Sequence, residues 1–304
     1  MFDLPTGVFK DNLIDHLRIV SWEASEILLN FSQMLKSPVY KKEIITSKNN
    51  EDPVTLADLN VNNLIIQSLN NNFKDFEWNI LSEENVKIKT SRLNKITNTK
   101  WLWVLDPLDG TRDFIQGTGN YAMHLALNYR NKPYIGIVLI PERNELWISD
   151  GEKVICETKD GSTKDIKFSR KKNLNDMTIV TSKNHRNENL EILINKINFK
   201  EKIIMGSIGC KIASILRGES DIYICLSMPG KSCPKDWDFA APEAILKAAG
   251  GAITNLDNEE LSYNKSNFNQ GGVIIASNNK QSHSILCRQI KELIEKHDIY
   301  PLLN

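Results

Sequence analysis

Cysteine is scarce in this chain. Five residues among 304 (Cys156, Cys210, Cys225, Cys233 and Cys287) are odd in number and scattered, with no C-x-x-C pair. That excludes a disulfide scaffold and a zinc cluster, and it predicts reduced thiols in a cytosolic compartment. An excess of either charge is also missing: 38 Lys and Arg balance 38 Asp and Glu. A neutral chain lacks the broad basic footprint of a nucleic-acid binder, so no such partner is expected. The densest basic run, Lys164, Lys167, Arg170, Lys171 and Lys172, reads as a solvated inter-domain loop. Long apolar runs are absent too; Ile135 to Ile140 is far too short to cross a membrane. The opening Met-Phe-Asp-Leu-Pro has neither the basic nor the apolar region of a signal peptide. The expectation is a cytoplasmic, soluble chain without a membrane partner.

Several chemical centres are lacking as well. There is no P-loop, no nucleophilic Ser elbow and no Cys/His pair. Gly117-Thr118-Gly119-Asn120-Tyr121-Ala122 resembles a dinucleotide fingerprint on paper. The fingerprint needs a helix after it, whereas Tyr121 to Tyr129 alternates like a strand with Met123, Leu125 and Leu127 on one face.

What is present is an ordinary globular composition, 41% hydrophobic and 25% charged, long enough for two modest domains. Apolar spacing predicts one helix from about Asp11 to Leu35 and a second after Thr55, which with Asp58 is close to a capping box. Trp78 to Leu81 reads as a short strand that ends at Ser82-Glu83-Glu84. Residues 101–105 form an apolar run that stops at Asp106-Pro107, and a turn follows. Strands at 135–140, 145–148, 153–156 and 166–168 then suggest an antiparallel meander. From about Asn173 strands and helices alternate, which suggests a mixed or parallel sheet covered by helices. The expected division is 1–172, two helices plus an antiparallel sheet, and 173–304, an α/β unit.

The acids carry the chemistry. Asp58, Glu83, Glu84, Asp106, Asp109 and Asp238 each stand at an element boundary, where side chains converge on a shared cleft. Gathering carboxylates is unfavourable unless cations neutralise them. Oxygen ligands suit Mg²⁺, and two or three such ions would leave room for phosphate oxygens. The Gly110-Thr111 pair, suited to opening a helix, offers amides to an anion.

In order along the chain come Asp58, Glu83-Glu84, Asp106-Pro107-Leu108-Asp109-Gly110-Thr111, Trp237-Asp238, eleven further residues and Gly250-Gly251. This pattern resembles the signature of the lithium-sensitive, Mg²⁺-dependent phosphatases of the inositol monophosphatase superfamily. The resemblance implies an αβαβα layered α/β fold and a role for each residue. Glu83, Asp106 and the Leu108 carbonyl would hold one Mg²⁺; Asp106, Asp109 and Asp238 would hold a second; Glu84 would support these or hold a third. Thr111 and Glu83 would orient and help deprotonate the attacking water, with Asp58 supporting them. The Gly110 and Thr111 amides would grip the phosphate. Homodimers are frequent in that superfamily.

Within it, Pro53 to Asp58, Leu81 to Glu84 and Trp103 to Ile115 are similar to the 3′(2′),5′-bisphosphate nucleotidases of the CysQ type. The resemblance implies hydrolysis of adenosine 3′,5′-bisphosphate to AMP and phosphate. Ser182, His185 and Lys211 would then contact the nucleoside and its 5′-phosphate. The loop from Met228 to Lys235 departs from the enterobacterial wording of that branch. An inositol or sugar monophosphatase is the alternative within the superfamily. A catalytically idle binding module is the alternative outside it, though such a relative would normally have lost a ligand and none is missing here.

Overall fold

The structure is a computed structural model that describes residues 4–46, 54–74, 76–88, 99–169, 171–183 and 187–302. Its helices are α1 (Lys10–Met34), α2 (Pro38–Ile44), α3 (Leu56–Asn72), α4 (Glu83–Ile88), α5 (Thr111–Gln116), α6 (Glu188–Ile197), α7 (Ile208–Leu216), α8 (Asp236–Ala248) and α9 (Lys280–Lys296). Its strands are β1 (Trp78–Ser82), β2 (Trp101–Asp109), β3 (Ala122–Tyr129), β4 (Lys132–Ile140), β5 (Glu145–Ser149), β6 (Val154–Glu157), β7 (Thr163–Lys164), β8 (Thr178–Ser182), β9 (Glu201–Met205), β10 (Ile222–Ser227), β11 (Ala252–Asn255) and β12 (Gly272–Ser277).

Two sheets result. The first runs β1 to β7 in chain order, and the second is ordered β11-β12-β10-β8-β9. Short connections favour antiparallel neighbours, and β2 to β7 obey that rule. The expectation that the whole first sheet is antiparallel is wrong at one end: β1 lies parallel to β2, because α4 and a long connection intervene. In the second sheet β8 is parallel to β9 and β10, whereas β12 is antiparallel to β10 and β11. The strand expected at 166–168 does not form; pairing with β6 ends at Thr163–Lys164.

Apolar stripes set the layers. Leu13, Leu17, Val20, Ala24 and Leu28 recur along the buried face of α1 and, with Val61, Ile65 and Leu69 of α3, pack under the first sheet. The sheet's other face meets α7 and α8, which also cover the second sheet. The far side of the second sheet is closed by α6 and α9. Helix, sheet, helix, sheet, helix is the αβαβα order. Helix α8 lies very close to β4 at Gly136, where a Cβ would sit 2.6 Å from Ala244 Cβ and 2.8 Å from the Ala241 carbonyl; only glycine fits there. The first sheet ends at Lys164 and the second begins at Thr178, with one apolar core shared between them through α7 and α8. All five cysteines are unpaired. No helix among the described residues is long and apolar enough to cross a membrane.

Candidate metal and phosphate site

The site forms where β2 leaves the first sheet. The strand does not stop at Asp106 as its sequence suggests. It continues to Asp109 through a register shift against β3 between those two residues. Pro107, which has no N–H to give the ladder, falls inside this irregularity. Asp106 Oδ1 accepts from the Leu108 amide at 3.0 Å, closing a tight local turn. Gly110 then takes a positive φ of 87° and lets α5 begin at Thr111. The result brings Asp106, the Leu108 carbonyl, Asp109 and Thr111 to one spot.

Asp238 reaches the same spot from the first turn of α8. One oxygen from each of Asp106, Asp109 and Asp238 lies within 4.8 Å of the others. Burial first, then the charges of Glu83, Asp109 and Asp238, pushes the Asp106 carboxyl well above its ordinary range. Burial, Asp109 and Glu83 do the same to Asp238. Glu83 also hydrogen-bonds Asp106. Such a set of hard oxygen donors, crowded and mutually repelling, fits divalent Mg²⁺.

Glu83 and Glu84 open α4 immediately after β1, so they are helix residues rather than a surface turn. Lys87, one turn on, pairs with Glu83 at 3.0 Å and Glu84 at 3.1 Å. Asp58 serves twice. Its Oδ2 accepts from the Thr55 amide at 2.8 Å and completes the capping box of α3, while its Oδ1 lies 3.5 Å from Thr111 Oγ1. Thr111 Oγ1 also donates to the Leu108 carbonyl at 3.0 Å. Burial, then the Thr55 bonds and the charges of Glu83 and Glu84, leave the Asp58 pKa at about 7.

Asp109 is gripped from the second half of the chain. Ser207 Oγ donates to its Oδ2 at 2.6 Å, and the amides of Ile208 and Gly209 point at the same oxygen. His124 Nε2 stands 3.3 Å away from that oxygen without a hydrogen bond. Burial lowers the pKa of this imidazole, partly offset by Asp109.

Of the residues expected to face a nucleoside, His185 lies outside the described residues. Ser182 ends β8, and its hydroxyl bonds Tyr223. Lys211 lies on α7 only 1% exposed, its ammonium donating to the Gly206 carbonyl and resting 5.2 Å from the Tyr223 ring centre. Ser182 and Lys211 therefore meet around one buried tyrosine. Sequence reading missed His124, Lys87 and Tyr223 altogether. Ser207 carried a signal, a serine just before a helix; a histidine inside a strand carries none.

Comparison with known proteins agrees with this geometry. The model of the "Inositol monophosphatase family" matches residues 11–295. A 3′(2′),5′-bisphosphate nucleotidase CysQ from Aggregatibacter actinomycetemcomitans is 29% identical, over 85% of this chain and 90% of its own length. The structure of the extragenic suppressor protein suhB from Bartonella henselae superposes with a TM-score of 0.70 at 20% identity, covering 92% of this chain and 99% of the other. CysQ from Bacteroides thetaiotaomicron, described as a bacterial member of the inositol monophosphatase family, gives 0.67 at 23% identity over 90% and 99%. With a family match over almost its whole length and the acidic triad in place, the chain belongs to the inositol monophosphatase family of metal-dependent phosphomonoesterases.

Proposed function

We propose that this protein hydrolyses the 3′-phosphate of adenosine 3′,5′-bisphosphate, giving AMP and phosphate, with two or three Mg²⁺ ions. The observation that carries the phosphatase chemistry is the convergence of Asp106, Asp109 and Asp238 beside the Thr111–Asp58 pair. The choice of a nucleoside bisphosphate rests on the 29% identity to a CysQ nucleotidase and on the wording of the motifs around Asp58, Glu84 and Asp106.

Glu83, Asp106 and the Leu108 carbonyl would hold one cation; Asp106, Asp109 and Asp238 a second; Glu84 stands ready for a further one. When bound, such cations neutralise the carboxylates, polarise the phosphate oxygens and acidify nearby water. The chain supplies the rest. Thr111 Oγ1 lies 3.5 Å from Asp58 Oδ1. It passes a proton from the attacking water toward Asp58, with Glu83 as the second acceptor. The first-turn amides at Gly110 and Thr111 have no intrahelical acceptor and are placed to receive phosphate oxygens. Ser182, His185 and Lys211 take the nucleoside side.

The test is phosphate release in Mg²⁺ from adenosine 3′,5′-bisphosphate, inositol 1-phosphate and fructose 1,6-bisphosphate, each with and without Li⁺. A strong preference for the nucleotide, abolished by Li⁺, is expected. Preference for inositol 1-phosphate would overturn the substrate and keep the site. Silence on all three would support an idle binding module.

A further inference from the structure

The histidine behind these carboxylates has no part in the roles above. His124 is fully buried, and the ladder between β2 and β3 sets it directly opposite Asp106. Its Nδ1 lies 3.4 Å from the carbonyl of Trp237, the residue that precedes Asp238. A carbonyl only accepts, so Nδ1 carries the proton in this contact. Its Nε2 stands 3.3 Å from Asp109 Oδ2. One ring thus adjoins all three chain positions that carry the converging acids.

The surroundings hold that ring in place. A Cβ on Gly209 would collide with Nε2 and lie 2.8 Å from Val138 Cγ1, so α7 closes over the imidazole only because residue 209 is glycine. Oδ2 of Asp109 is already occupied by Ser207, Ile208 and Gly209. Those three donors hold the carboxylate in one orientation, the imidazole packs against the same oxygen, and the other oxygen is the one left for a cation.

We propose that His124 is a positioning residue for the metal site. It sets the spacing between Asp109 and the turn that carries Asp238, so that both carboxylates present oxygens to the same cation. The inference rests on the metal-dependent reading above. Residues that orient metal ligands in this way change metal affinity by about 10- to 100-fold when altered, whereas a ring that only fills the core changes stability.

Titration of metal-free protein with Mn²⁺, followed by electron paramagnetic resonance, separates the two, with melting of the metal-free protein measured alongside. His124→Phe keeps the ring and loses both nitrogens; it is expected to bind Mn²⁺ about 10- to 100-fold more weakly. His124→Asn keeps an N–H as far from Cβ as Nδ1 but does not reach Asp109, and is expected to lose clearly less affinity than the Phe variant. Equal affinity in the Phe variant, or an equal loss in both variants, overturns the inference. Should His124→Phe not fold, His124→Gln replaces it, because its amide sits one bond farther out and misses the Trp237 carbonyl; unchanged affinity there has the same meaning. Failure of the parent protein to bind Mn²⁺ overturns the metal-dependent reading and this inference together. Binding by the parent with unchanged variants overturns this inference alone.

Discussion

Ser207 Oγ donates to Asp109 Oδ2 at 2.6 Å, joining the helix that opens beside the second sheet to the last residue of β2 in the first. The same hydroxyl accepts from the Cys210 amide at 3.2 Å and so caps α7. Asp109 therefore sits at the positive end of that helix, where a negative charge is favoured. Ser207→Ala removes the cap and one donor to the carboxylate. It is expected to cost about 1 kcal/mol of stability and to raise the Mg²⁺ concentration for half-maximal activity about tenfold. Urea unfolding and a Mg²⁺ titration of phosphate release measure the two effects. A stability loss with an unchanged Mg²⁺ requirement would make the contact structural only.

Asp106→Asn is expected to move activity and stability in opposite directions. The carboxyl is buried among Glu83, Asp109 and Asp238, which push its pKa up and so oppose its charge in the folded state. An acid whose pKa rises on folding subtracts stability at neutral pH. Its neutral replacement should raise the melting temperature of the metal-free protein by a few degrees, about what 1 kcal/mol gives in a chain of this size. Phosphate release should be almost completely lost. Substantial remaining activity would sink the assignment of Asp106 to two cations.

The converging acids could be read before the fold was seen because Asp106, Asp109 and Asp238 stand in an ordered set of motifs along the chain, although a carboxylate at an element boundary is often no more than a cap. Thr55 with Asp58 could have been a cap alone; the structure gives Oδ2 to the cap and turns Oδ1 toward Thr111. The run to Asp106 was legible as a strand, but its continuation through Pro107 was not, since a proline normally ends pairing unless a local irregularity absorbs it. Helix α2 escaped because a seven-residue segment shows too little periodicity. The buried place of Lys211 and the whole of His124 were invisible for a different reason. Both depend on what α7 packs against, and residue type alone does not carry that information.

Substitution of Thr111 tests proton movement apart from metal binding. Its hydroxyl meets the Leu108 carbonyl at 3.0 Å and lies 3.5 Å from Asp58 Oδ1, while its side chain is not among the converging carboxylates. Thr111→Ala is expected to lower kcat by about 10²- to 10⁴-fold, the usual worth of a general acid or base, with Mn²⁺ affinity unchanged. Thr111→Ser should recover most of the rate. A parallel fall in Mn²⁺ affinity would show that Thr111 acts by holding the loop rather than by moving a proton.

His283 makes the fold acid-sensitive at a place outside the carboxylate cluster. Helix α9 buries it against the second sheet, with Nδ1 2.8 Å from Ser277 Oγ and Nε2 2.9 Å from Thr254 Oγ1. A neutral ring satisfies both hydroxyls, one as donor and one as acceptor. Burial lowers its pKa from 6.5 to about 4. Below pH 6.5 the unfolded chain therefore takes up a proton that the folded chain refuses. Stability attributable to this group is complete above pH 6.5 and drains away as the pH falls toward about 4. The full window is worth about 3 kcal/mol. His283→Gln keeps a donor and an acceptor without the titration, so its urea midpoint should fall less than that of the parent between pH 7.5 and 4.5. The difference between the two proteins' losses should be about 2 kcal/mol, with phosphate release at neutral pH unchanged. Matching pH slopes in the two proteins would show that the imidazole charges in the fold as readily as in water.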